Sequence, residues 1–300
     1  MGIKAVAFWW IRRWRTEERF SMVLLRSMAP FSLRLLATDL IAAIYNNVAQ
    51  LFIGKMHSTT QLGFYSQAQK LKDLPVTSTV QAAQGVTYPA LSQLKDDAEK
   101  FAEGYRRVVR LCSFVIFLLM LGFVAIAEDM FALLLGEKWM PTVPYFEILA
   151  LSGLFFPLSA IAYNVLKVQS DGRVIVRLEV LRRVVMTLVL LYTIPRGVAA
   201  VAWGMTAMAF VDMLINVVAA GRYTSLRLGG FVMTILPQLL IASAMWLVLY
   251  LINPYIEDLH IALRLALSVA IGTAQYLLLS VGFGLRVWSD VLELMRSKSE

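Results

Sequence analysis

From residue 108 onward the chain alternates apolar runs of about twenty residues with short polar breaks, the length a helix needs to cross a hydrocarbon core. Such runs cover 108–127, 144–168, 175–194, 198–223, 231–252 and 261–285. Another, 31–55, is apolar but carries Arg34, Asp39, Asn46, Asn47 and Gln50. The stretch 63–93 has the same length and a different pattern. Its polar residues Gln67, Lys70, Asp73, Thr77, Gln81, Gln84 and Tyr88 recur at steps of three or four, which places them on one stripe of a helix. Leu71, Leu74, Val76, Val80, Ala83 and Val86 cover the remainder. Alone, this would be an ordinary amphipathic surface helix with its stripe in water. Among neighbours this apolar, the stripe predicts a water-filled cavity or a polar helix interface within a membrane. Pro75, in the middle of the run, predicts a kink, and Pro89 a further interruption.

Composition agrees with the pattern. Hydrophobic residues make up 59% of the chain and charged residues 16%, with a mean hydropathy of +0.68, outside the range of soluble globular domains. The fold class expected is an all-α polytopic membrane bundle of about eight transmembrane helices. A net charge of +8 would point to nucleic acid in a soluble protein; here it is read by position instead. Cys112 is the one cysteine, so an intramolecular disulfide and a cysteine metal cage are excluded. His57 and His260 fall in separate predicted loops, and no metal centre or cofactor is expected.

Before the first apolar run, Phe8, Trp9, Trp10 and Trp14 alternate with Arg12, Arg13, Arg15 and Arg19, the mixture found where a helix lies at a headgroup boundary. It lacks the order of a signal peptide. Residues 1–29 are therefore read as a basic interfacial segment. The segments after it alternate sides, and basic residues gather on one of them: the amino-terminal segment, the region of Lys95 to Arg110, the region of Lys167 to Arg177, then Arg222, Arg227, Arg286, Arg296 and Lys298. The opposite loops carry Lys55, Lys138 and Arg196, and 253–260 has two acids with no Lys or Arg. This bias places both termini in the cytoplasm. The outer loops are too short for a folded catalytic domain.

Ionisable groups inside a membrane cost about 2.5 kcal/mol or more each, so they mark function by default. Here they are Arg34 and Asp39 in the first segment, Lys70, Lys72 and Asp73 in the second, and Arg173, Arg177, Glu179, Arg182 and Arg183 in the fifth. Glu179 has the spacing to pair with Arg182 or Arg183, and Asp212 shares a face with Asn216. For any single residue, snorkelling or an interhelical hydrogen bond is an equal explanation. Taken together, the polar stripe, basic excess and short loops point to a cavity that binds an anion.

The strings IYNNVAQLFIGKMHSTTQLGFYSQAQKLKDLP, VTYPALSQLKDD, LLGEKW and KVQSDGR resemble the second half of Wzx-type lipopolysaccharide or polysaccharide flippases, of the multidrug/oligosaccharidyl-lipid/polysaccharide exporter superfamily. The likeness implies a second six-helix lobe over 30–223, two additional transmembrane helices over 224–285 and a cytoplasmic tail over 286–300. The eight segments would be the seventh to the fourteenth of the family, the first lobe being expected elsewhere, on a separate amino-terminal half or as missing sequence. Residence in the bacterial inner membrane is implied, as is export of an undecaprenyl-diphosphate-linked glycan for lipopolysaccharide, capsule or exopolysaccharide synthesis, alongside glycan polymerisation machinery. On that reading Arg34, Lys70 and Arg177 meet the diphosphate, Asn46, Thr77, Gln81, Gln84 and Asn164 meet the sugar, and Asp39, Asp73 and Asp212 are candidates for coupling to protons or sodium. A transporter is expected rather than an enzyme, since a membrane glycosyltransferase or polymerase needs a substantial loop. A drug or metabolite exporter of the superfamily, or a non-transporting subunit of a glycan assembly complex, are the alternatives.

Overall fold

The computed structural model describes residues 47–94, 97–170 and 173–296, with Met22 and Arg26. Contacts divide the chain into Met1–Val48 and Ala49–Glu300, and every helix below belongs to the second unit. The amino-terminal segment and most of the first apolar run lie outside the described residues. Residues 49–56 are helical. There follow α1 (Thr59–Gln93), α2 (Ala98–Ala125), α3 (Ala127–Leu134), α4 (Val143–Gln169), α5 (Arg173–Thr193), α6 (Val198–Ala220), α7 (Leu228–Ile252), α8 (Ile261–Gly282) and α9 (Val287–Arg296). Among the described residues there is no strand, and the all-α class expected from the sequence is borne out.

Five helical stretches there are long and apolar enough to cross a membrane: Ala98–Ala125, Glu137–Gln169, Val198–Ala220, Leu228–Tyr255 and Ile261–Gly282. The chain is a multi-span membrane protein. Helices α1 and α5 have comparable length but carry the charges that the sequence reading singled out. Helix ends agree with the apolar runs within a few residues, except at α2. It begins ten residues before its apolar run, because Asp97 caps it by accepting the Lys100 backbone N–H (3.1 Å) and charged first turns ride ahead of the apolar part. That N–H and the Lys100 ammonium hold the Asp97 carboxyl below its usual range.

Two further details go beyond the sequence reading. Helix α1 continues through both Pro75 and Pro89; a proline removes one ladder bond, and the helix carries on around it. Next to Pro75 the hydroxyls of Thr77, Ser78 and Thr79 each bond a carbonyl four residues back, at 2.6, 2.9 and 2.8 Å. Within the stretch read as a tail, α9 forms.

In lipid, helices associate through close packing and polar contacts, and the bundle is built accordingly. Helix α4 is its centre, packed against α6, α1 and α2. Gly153 lets it approach α1 and α2, since a Cβ there would stand 2.4 Å from Met120 Sδ and 3.0 Å from Val76 Cγ2. Gly204 does the same for α6 against α5, where Thr193 Cγ2 would be 2.8 Å away. Helix α2 also packs on α7, α7 on α8, and α5 lies against α6 at the edge.

Contacts at the two ends show the antiparallel order. At one end Arg107 and Arg110 of α2 meet Asp290 of α9. At the other, Arg264 of α8 pairs with Asp129 of α3, its Nε 2.8 Å from Oδ2, and Phe64 meets Trp139 edge-on at 6.1 Å. His57 Nε2–H donates to the Ile194 carbonyl (2.8 Å), and His260 Nδ1 accepts the Ala262 N–H at the start of α8 (3.3 Å). Both histidines thus have structural partners.

Candidate functional site

Helix α1 is two-faced. Tyr65, Ala68, Val76, Thr87 and Leu91 are buried, and Val80 and Ala83 pack against the same core. On the other side Lys70, Leu74, Thr77, Ser78, Gln81 and Ala82 are exposed, with Gln67, Asp73 and Gln84 half-buried. From Gln67 to Gln84 the stripe read from the sequence therefore lies on the outward side of α1. Elsewhere the outward faces carry large apolar side chains: Val176, Val180, Val184 and Leu188 on α5 beyond its exposed Arg173 and Arg177, Met233, Leu240 and Leu247 on α7, Leu263, Val269 and Leu278 on α8. Apolar faces suit lipid; a face of ammonium, hydroxyl and amide groups requires water or polar protein.

Charge on this face is partly neutralised. Lys72 Nζ lies 2.6 Å from Asp73 Oδ1, the lysine side chain being 13% exposed and the carboxylate 41%. Lys70 makes no ion pair or hydrogen bond among the described residues, so its ammonium is available to a ligand. Thr77 spends its hydroxyl hydrogen on the Asp73 carbonyl (2.6 Å), leaving oxygen lone pairs to accept. Gln50, in the helical residues 49–56, donates to Gln69 Oε1 (3.0 Å) and ties the preceding helix to α1.

The remaining candidates fall elsewhere. Arg34, Asp39 and Asn46 lie outside the described residues. Asn164 is 2% exposed; it sits within the packed interior around α4 with Nδ2 unbonded, and does not share the outward face of α1. Arg177 is exposed on α5 at the arginine-rich end, on a helix with no packed interface to α1. Lys70 and Arg177 are thus not brought together.

A second polar cluster joins α4, α5 and α6. Glu179 pairs with both Arg182 (3.1 Å) and Arg183 (2.7 Å), as the spacing suggested. Arg182 donates to Asn216 Oδ1 (2.6 Å), and Asn216 donates to Ser159 Oγ (2.8 Å). Asp212 Oδ1 stands 3.8 Å from Arg182 Nε, and neither atom has a hydrogen bond. The Tyr163 ring lies under both Arg182 and Lys167, at 5.3 and 4.8 Å. Ser159 and Tyr163 escaped the sequence reading, since nothing in an apolar run marks the residue that an arginine on another helix will meet.

The polysaccharide biosynthesis protein family matches residues 2–144. Over 283 residues the chain is 23% identical to the teichuronic acid biosynthesis protein TuaB of Bacillus subtilis (strain 168), covering 93% of this chain and 59% of that protein. It is 25% identical over 133 residues to the lipopolysaccharide biosynthesis protein WzxC of Escherichia coli (strain K12), 43% of this chain and 27% of the relative. Among solved structures the lipid II flippase MurJ, in an inward closed conformation, superposes with a TM-score of 0.64 at 13% identity, over 89% of this chain and 56% of MurJ. These findings bear out the resemblance to Wzx-type polysaccharide flippases, and the fold is similar to part of that of MurJ. The chain spans 56% of the length of MurJ and 59% of that of TuaB.

Proposed function

We propose that this chain forms one lobe of a transporter that flips lipid-linked oligosaccharide across the bacterial inner membrane for surface polysaccharide synthesis. The observation that carries the reading is the outward polar face of α1, whose Lys70 is unpaired among the described residues, beside outward faces of α7 and α8 that carry large apolar side chains. A diphosphate crossing the bilayer needs cations in a hydrated path, because a bare anion in hydrocarbon is prohibitively costly. A lysine ammonium donates charge-assisted bonds to it, and the amides of Gln81 and Gln84 suit sugar hydroxyls. The polyprenyl tail needs no polar partner and stays among the apolar faces of the bundle.

In this reading the chain crosses the membrane eight times, 30–223 being the six-helix lobe and 224–285 the two additional helices, with both termini cytoplasmic. The substrate is an undecaprenyl-diphosphate-linked glycan, and a first lobe of comparable size faces α1 across the cavity. Arg34 and Arg177 supply further cations along the path. Asp39, Asp73 and Asp212 are the coupling candidates, of which Asp73 and Asp212 already stand beside Lys72 and Arg182. The test is complementation of an export-deficient strain by the complete transporter. Lys70→Ala is expected to abolish surface glycan and accumulate lipid-linked precursor at normal protein levels, with Lys70→Arg retaining export. Full export by Lys70→Ala would remove that residue from the path.

A further inference from the structure

A cavity of about 440 Å³ opens at the arginine-rich end of the bundle, between α2, α7 and the turn that joins α8 to α9. No residue of α1 lines it, nor does any residue considered above as a substrate contact. Its chemistry is graded. At the mouth stand three guanidiniums, Arg106 and Arg110 from α2 and Arg286 from the turn. They are not equivalent. Arg110 is held by Asp290 (2.8 Å) and Glu103 (2.9 Å) and acts as part of the wall. Arg106 has one partner, the half-exposed Glu103 (3.1 Å). Arg286 has none among the described residues. With Arg107 behind them, four guanidiniums face three carboxylates among the described residues, Glu103, Asp290 and Glu293, so these side chains are short of one negative charge.

Deeper in, Gln238 lines the same cavity. It is 2% exposed, and its Oε1 has no hydrogen-bond partner. A buried amide left unpaired costs about 1–3 kcal/mol, so the site is built for a polar group that the protein does not itself provide. One residue earlier, Pro237 has no N–H to give to the carbonyl of Met233 four residues back, which leaves an acceptor on the same stretch of α7. The walls are apolar beyond this point. Met233, in the lining, is 72% exposed on α7, and outside the cavity Leu278 on α8 and Phe283 just past its end are each 72% exposed, continuing the apolar faces that suit lipid.

An anion at the mouth, hydroxyl-compatible groups behind it and hydrocarbon on either side describe one kind of ligand. We propose that this cavity holds the phosphodiester headgroup of an anionic phospholipid from the leaflet at the arginine-rich end. Arg286 and Arg106 present their planar forks to the phosphate oxygens, the Gln238 amide bonds a headgroup or ester oxygen, and the acyl chains run along α7 and α8. Basic pockets between transmembrane helices are the ordinary means of holding such headgroups. The site stands apart from the α1 face, and holds whether or not that face carries a glycan.

The test uses the full chain purified into nanodiscs of phosphatidylcholine with and without phosphatidylglycerol, scored by native mass spectrometry for retained lipid. Phosphatidylglycerol is expected to be retained about tenfold over phosphatidylcholine, Arg286→Gln to remove most of that preference, and Arg286→Lys to restore part of it. Gln238→Leu, which leaves every charge in place, is expected to weaken retention several-fold. Equal retention of the two lipids, or undiminished preference in both Arg286→Gln and Gln238→Leu, overturns the proposal. A separate arm adds inorganic phosphate: displacement of phosphatidylglycerol by phosphate at equal concentration would mean a site for free anions and would overturn the lipid assignment.

Discussion

Replacing Asp290 by asparagine removes the charge that locks α9 onto α2 and keeps its shape. Asp290 is 7% exposed. Its carboxylate accepts from Arg110 at 2.8 and 3.2 Å and lies 3.8 Å from Arg107. Stripping one partner from a buried ion pair costs about 3–5 kcal/mol, because the other charge stays buried. Two features lower that here. Glu103 still accepts from Arg110 at 2.9 Å, and the asparagine oxygen can keep one of the two bonds, so about 2 kcal/mol is the expected loss. For a chain of 300 residues that corresponds to a fall in Tm of roughly 3 °C, measured by thermal unfolding in detergent. Glu293→Ala is the contrast. Its carboxylate is 72% exposed and reaches Arg107 at 3.2 Å, and an exposed pair of that kind is worth about 0–1 kcal/mol. The double change Arg110→Met with Asp290→Leu is expected to recover most of the loss, since an apolar pair of matched size tolerates the site. A neutral Asp290→Asn, or a double variant as unstable as the two single losses added, would refute the reasoning.

Cysteines at Thr77 and Gln81 in membranes should react readily with a water-soluble thiol reagent, while one at Val76, which is 2% exposed, should stay unreacted; equal labelling at all three would mean that α1 is not sided. Asn216→Leu takes from Arg182 its 2.6 Å acceptor and from Ser159 its donor, and an unfolding scan should show a loss of about 1–3 kcal/mol. Gly153→Leu forces a side chain against Met120 and Val76 and should lower the amount of folded protein in the membrane, by fluorescence-detected size exclusion, where Gly63→Ala, with open space around it, should not.

Much of the bundle was legible because the membrane imposes one rule on sequence. A spanning helix must be about twenty apolar residues, so α4, α6, α7 and α8 begin and end within a few residues of the apolar runs. The same rule hides what lies at the interface. Helix α9 and the first turns of α2 are charged: α2 starts early because Asp97 caps it, and α9 is tied to α2 where Asp290 and Arg110 meet across 180 residues of sequence, a contact that periodicity does not encode. The stripe of α1 was readable because it recurs every three or four residues within one helix. Which of its charges is free was not: Lys72 and Asp73 neutralise each other, and Lys70 two residues earlier has no partner among the described residues. Asn164 looked like a cavity residue from its polarity alone, yet it lies in the interior, since an isolated amide in an apolar run carries no record of which neighbour it faces. The Arg182 cluster was half visible, through the i, i+3 and i, i+4 spacing of Glu179, and half invisible, through Ser159 and Tyr163 on another helix.

The central claim is that the outward face of α1 borders the path of a lipid-linked glycan. A photoreactive amino acid at Thr77 or Gln81, in the complete transporter in membranes supplied with phosphorus-labelled undecaprenyl-diphosphate sugar, is expected to capture the label on irradiation, and the same residue at Leu188 on the apolar face of α5 is not. Capture at Leu188 equal to that at Gln81, or none at Thr77 and Gln81 while export proceeds, would contradict it.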